Sequence, residues 1–80
     1  MVGSLYYYKG RVIVYCSPGV VIQSLMGEAD LGAVYFEAHD SKDGEILEHT
    51  SRPYNGTAES WHRATALYLF RIESKYSHLF

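Results

Sequence analysis

A single cysteine, Cys16, in a chain of 80 residues leaves nothing for an internal disulfide to join. Small secreted scaffolds held by cross-links are thereby excluded, and a reducing cytoplasm is the expected setting. Apolar runs are short: charged or polar residues interrupt each one well before the ~18 residues that a membrane span needs. The opening "MVGSLYYYKGRVIVYC" lacks the basic start and long apolar stretch of a secretion signal, so no membrane partner is expected. A glycine-rich phosphate loop, paired cysteines at metal spacing, a serine elbow and clustered acids at a strand end are also missing. No catalytic residue, metal ligand or cofactor-binding residue is therefore assigned, and a non-enzymatic role is expected. The formal net charge of −2 gives no general attraction to nucleic acid or to an anionic membrane.

What is present is the balance of a folded chain, with 48% hydrophobic and 20% charged residues. A chain this short has room for one core and buries only about 60% of its unfolded surface, so residues 1–80 are expected to form one domain. The charge is unevenly placed. Glu28, Asp30, Glu37, Asp40, Asp43, Glu45 and Glu48 face Lys42 alone in one window, seven minus one, or six net negative charges. Lys9, Arg11, Arg52, Arg63, Arg71 and Lys75 flank it, against Glu59 and Glu73.

Leu5 to Cys16 is dense in tyrosine and β-branched residues and predicts strand. Lys9-Gly10 either turns a hairpin or bulges one long strand. For residues 18–26 two readings compete. Ser17, Pro18 and Gly27 would frame a short helix, whereas Val20-Val21-Ile22 favours strand, the reading preferred here. Ala33 to Thr50 predicts a hairpin closed by Ser41-Lys42-Asp43-Gly44, with Gly44 left-handed. Counting outward places His39 opposite Leu47, Ala38 opposite Glu48, Glu37 opposite His49 and Phe36 opposite Thr50. Phe36, Ala38 and Ile46 would then share one face; Tyr35, Glu37, His39, Leu47 and His49 would share the other.

"SRPYNG" is a loop by its Pro, Asn and Gly. Thr57 then predicts an N-cap, and a helix follows from Ala58 to the neighbourhood of Tyr76. At 100° per residue, Trp61, Ala64, Thr65, Tyr68, Leu69, Ile72, Tyr76 and Leu79 form the stripe of a helix laid on a sheet. Leu67 and Phe70 fall opposite that stripe. Either a loop or the "VVIQSLM" segment folds over them, or another chain does. With Arg63 and Arg71 as rim, they form the expected partner or dimer interface, and a homodimer is expected.

Asp40, Asp43, Glu45 and Glu48 are expected to give the hairpin an acidic surface suited to a basic partner. Three other constellations compete. Glu37, His39 and His49 would share a face as a conceivable zinc set, but the pairing of Glu37 with His49 satisfies both as a cross-strand ion pair. Tyr6, Tyr7 and Tyr8 beside Lys9 and Arg11, with Tyr6 and Tyr8 on one face and Tyr7 on the other, would suit single-stranded nucleic acid, which the acidic middle repels. Cys16 lacks a nearby base and reads as a small buried hydrophobe.

The expected fold is α+β: an antiparallel sheet of three to five strands with one C-terminal amphipathic helix packed on one face. The expected function is protein–protein binding, as an inhibitor occupying a basic or nucleic-acid-binding surface of another protein. In size, charge and missing catalytic set the chain has the general look of phage or mobile-element proteins that block a host enzyme. Single-stranded nucleic-acid binding and a small metal-dependent or hydrolytic enzyme are the alternatives.

Overall fold

The structure, a computed structural model, describes residues 5–20, 23, 27 and 29–79; of the side chains in the first strand it describes Tyr7. Strands β1 (Leu5–Lys9), β2 (Val12–Pro18), β3 (Ala33–Asp40) and β4 (Ile46–Pro53) precede helix α1 (Ala58–Lys75) and a 3-10 turn, Ser77–Leu79. The strands form one antiparallel sheet in the order β1-β2-β3-β4, each beside its neighbour in sequence. With α1 on one face this is the expected α+β fold. Among the described residues no helix is long and apolar enough to cross a membrane.

Two glycines set the hairpins. Lys9 pairs with Val12, so the first loop is Gly10-Arg11, one residue later than Lys9-Gly10. Gly10 takes φ +56° and no described non-glycine residue has positive φ, which is the arrangement of a type II′ hairpin with Gly first. In the second, Gly44 takes φ +75°. Its N–H donates to the Asp40 carbonyl at 2.7 Å, and the Asp40 N–H donates to the Glu45 carbonyl at 2.9 Å.

The β3–β4 register matches expectation at Phe36–Thr50, Glu37–His49 and Ala38–Glu48, then slips: His39 stands opposite Ile46. Leu47 is the extra residue of a β-bulge. The bulge corrects the expected faces of two residues. Leu47 packs against the core, while Ile46, paired with His39, is 55% exposed. Bulges re-aim a side chain at the cost of one ladder position, and here a leucine gains apolar burial.

The stretch after β2 is corrected where it is described. Gly19, Val20 and Gln23 are helical, against the preferred strand reading; Val21, Ile22 and 24–26 lie outside the described residues. Pro18 ends the strand, and Gly19 is fitted tightly, since a Cβ there would collide with the Asp30 carbonyl oxygen.

Alternation along the strands sends Val12, Val14 and Cys16 of β2 and Val34, Phe36 and Ala38 of β3 towards α1, where Ala64, Tyr68 and Ile72 complete a buried core. Phe36 and Tyr68 stack with centroids 4.6 Å apart and ring planes 15° from parallel. Tyr7, Trp61, Leu69, Tyr76 and Leu79 close its margins. The predicted helical stripe is thus the packed one. Thr57 caps α1 as expected, its Oγ1 accepting from the Ser60 N–H at 3.1 Å. Asn55 Oδ1 adds to the cap by accepting from the Thr57 N–H at 3.1 Å and the Ser60 hydroxyl at 2.7 Å.

Candidate interaction surface

The helix positions its outer residues by the same periodicity that builds the core. With Ala64, Thr65, Tyr68 and Ile72 buried, Leu67 and Phe70 must turn away from the sheet, and they are 54% and 71% exposed. Leu67 lies on the β4 side of the helix. It lines a shallow groove of about 570 Å³ with Arg52 and Pro53 from the end of β4, Tyr54 just after it, and Ser60, Arg63 and Ala64 from α1. Arg63 is exposed and pairs with Glu59 at 2.6 Å, one helical turn earlier; such surface pairs contribute little.

Arg71 has a different job. Its Nε donates to Glu48 Oε1 at 3.1 Å, while Lys75 Nζ and the Tyr76 hydroxyl donate to Glu48 Oε2 at 2.8 and 3.2 Å. The carboxylate is only 11% exposed. Burial opposes its ionisation, but Lys75, Arg71 and the neighbouring Tyr68 hydroxyl outweigh burial and bring its pKa down to about 2. Burial, then the Glu48 charge, raises the pKa of Tyr68. Glu48 therefore ties β4 to the last turns of α1.

Asp40 is likewise engaged inside the fold. Arg11 grips it with both prongs, Nε to Oδ1 at 2.8 Å and Nη2 to Oδ2 at 2.7 Å, and the Lys42 N–H donates to Oδ1 at 3.0 Å. These bonds, Arg11's first, hold the carboxyl below the usual range. The Arg11 backbone also takes part, its N–H donating to the Leu79 carbonyl and its carbonyl accepting from the Ser41 N–H. Arg11 thus fastens both hairpin loops and the C-terminal turn together. Of the four acids expected on one surface, Asp43 and Glu45 are exposed at the hairpin tip, while Asp40 and Glu48 are spent on internal ion pairs. The same pair withdraws Arg11 from the group offered for nucleic acid; the side chains of Tyr6, Tyr8 and Lys9 lie outside the description, and Tyr7 packs on the core.

The remaining constellation resolves differently from its expectation. Glu37 and His49 are opposite in register, yet Glu37 Oε1 is hydrogen-bonded to His39, whose Nε2 lies 2.7 Å away. His39 also packs edge-on against Tyr15, centroids 5.0 Å apart. Among the described residues no three His, Cys, Asp or Glu side chains gather as a metal site. Cys16 is wholly buried, and burial pushes its thiol up to about 12, which suppresses the thiolate needed for attack. A thiol reagent at neutral pH is expected to leave Cys16 unmodified in the folded chain and to label it fully in denaturant; rapid labelling without denaturant would contradict this burial.

The two ion-pair centres were missed in sequence because their members lie 29, 23 and 27 positions apart, Arg11–Asp40, Arg71–Glu48 and Lys75–Glu48. One signal did exist: Glu48 was predicted to face the same way as Ala38, a core residue, where a carboxylate requires partners. Compared with known protein families, characterised proteins and solved structures, the chain matches none, so its functional reading rests on its own residues.

Proposed function

We propose that this chain acts by binding other proteins rather than by catalysis, and that the outer face of α1, Arg63, Leu67, Phe70 and Arg71, is its main contact surface. The observation that supports it is the exposure of Leu67 and Phe70 side by side, 54% and 71%, on a helix whose Trp61, Ala64, Tyr68, Leu69 and Ile72 are packed on the core. Burying both against a partner would contribute on the order of 3 to 5 kcal/mol. Arg63 and Arg71 flank them as a polar rim. The hairpin tip, with Asp43 and Glu45 exposed, is a second and smaller contact suited to a basic surface on a target protein, as in an inhibitor that competes with nucleic acid in the cytoplasm. A phage or mobile-element inhibitor of a host enzyme is the type this describes.

The test is a Leu67→Ser/Phe70→Ser double variant. It is expected to keep the far-ultraviolet circular dichroism of the parent and, in dilute solution, its denaturant midpoint, while losing association. A double variant that unfolds would show these two side chains to belong to the core and would end this reading.

A further inference from the structure

We propose that β4 is the edge through which two copies of this chain pair, joining their sheets antiparallel about a two-fold axis at Thr50 with both helices on one side. This rests on the reading of the outer face of α1 as a protein-binding surface and names its occupant, a second copy. Among the described residues β4 ends the sheet, and an edge strand turns every second N–H and C=O outward with no ladder partner. The usual guards are weak here. β4 carries no lysine, its proline is its last residue, and its bulge sits at Leu47, leaving 48–52 regular.

Alternation fixes the register. With both helices on one side, residues opposite each other across the junction must come from the same face. On β4 the helix-side residues are Glu48, which bonds α1; Thr50, opposite the core residue Phe36; and Arg52, which shares the groove with α1. A symmetric junction can therefore centre on any residue from 48 to 52; centring on His49 or Ser51 sets Glu48 or Arg52 opposite Thr50, with no opposite charge to meet. Centring on Glu48 or Arg52 sets like charges directly against each other, which is unfavourable. Centring on Thr50 sets each Glu48 opposite Arg52 of the second copy. Opposite charges set directly across a strand junction are favourable. Glu48 already accepts one bond on Oε1 and two on Oε2, with the Tyr68 hydroxyl beside it, so Arg52 of the second copy would join an existing cluster of cations around it. Arg52 Nε is buried within its own chain with no hydrogen-bond partner among the described residues, so the bond to Glu48 of the second copy falls to the terminal guanidinium nitrogens.

The helix obeys the same axis. Arg71 stands over Glu48, and Arg63 lines the groove with Arg52. Leu67 lies midway between the two arginines as Thr50 lies midway between Glu48 and Arg52. Four helical residues advance about 6 Å and two strand residues about 6.8 Å, so the two midpoints coincide along the edge. An axis through Thr50 then passes beside Leu67 and brings the two Leu67 side chains together, with Phe70 one turn along to cover them.

Light scattering over a concentration series tests this. The wild-type chain is expected to reach the mass of a dimer. Thr50→Lys, which sets two cations across the axis, is expected to raise the dissociation constant by about a hundredfold or more with unchanged circular dichroism. If Thr50→Lys fails to fold, Arg52→Glu decides, since it places Glu48 against a carboxylate and is expected to dissociate the dimer equally. A wild-type chain that stays monomeric at every concentration, or a dimer that neither variant weakens, would overturn the paired edge. Neither result depends on whether the Leu67→Ser/Phe70→Ser variant folds, which is the separate test of the helix face.

Discussion

Replacing Phe36 with Ala is expected to leave the chain largely unfolded at room temperature. Phe36 is 2% exposed and stacks on Tyr68, joining the central strand β3 to the middle of α1. Removing a buried phenyl group loses its transfer free energy and leaves a cavity, together about 3 to 5 kcal/mol. A domain of this length has only about 4 to 12 kcal/mol in total, and small domains lie at the lower end. Loss of the helical circular dichroism signal and of a cooperative thermal transition is the expected readout. Phe70→Ala is the informative contrast. At 71% exposure it is expected to change the stability of the isolated chain by no more than about 0.5 kcal/mol. Any larger effect should grow with protein concentration, as for a residue buried on association. Equal, concentration-independent losses for the two variants would show that Phe70 is packed within its own chain.

The second large effect concerns Glu48 and acid. Its folded pKa of about 2 lies below the ordinary 4.5, so ionised Glu48 favours the folded state. That contribution is whole above the ordinary value and is lost as pH falls from about 4.5 towards 2. It amounts to up to about 2 kcal/mol once water screening of the half-exposed Arg71 and Lys75 is allowed for. Glu48→Gln removes it at neutral pH by taking away the charge those two cations hold. The urea midpoint of the variant is therefore expected to lie well below the parent's at pH 7, the gap narrowing below pH 4.5 and closing as pH approaches about 2. Asp40, whose pKa Arg11 also lowers, adds an acid-dependent loss that both proteins share. A gap between parent and variant that stays constant down to the lowest pH would contradict the ion-pair origin of the effect.

Local chemistry made much of this fold legible. Gly44 announced the second hairpin, Thr57 the start of α1, and the 3.6-residue stripe from Trp61 to Leu79 its packed side. Each is a short-range preference that the tertiary structure leaves undisturbed. The bulge at Leu47 was not legible, because uninterrupted alternation is the simplest register for that sequence, and only the pull of the core selects a break in it. The stretch after Pro18 misled for a related reason: the β-branched run favours strand locally, while Gly19 is held close against Asp30 by the return of the chain to β3. Arg11 and Glu48 were seen as charges but not as ties. Their partners lie on elements whose proximity is decided only when the sheet and helix pack. The same holds for the edge. Glu48, Thr50 and Arg52 become a self-complementary series only once their shared face and the unpaired side of β4 are known.

Oxidation of a Thr50→Cys variant tests the paired edge most directly. Directly opposed residues of antiparallel strands lie about 4.5 to 5.5 Å apart between Cα atoms, within disulfide reach, and buried Cys16 takes no part. Mild oxidation is expected to yield a covalent dimer that a reductant reverses. A Ser51→Cys variant, whose residue 51 faces His49 of the second copy instead of its own equivalent, is expected to remain uncross-linked. A Thr50→Cys chain that folds and stays monomeric, or a Ser51→Cys chain that cross-links as readily, would contradict the two-fold axis at Thr50.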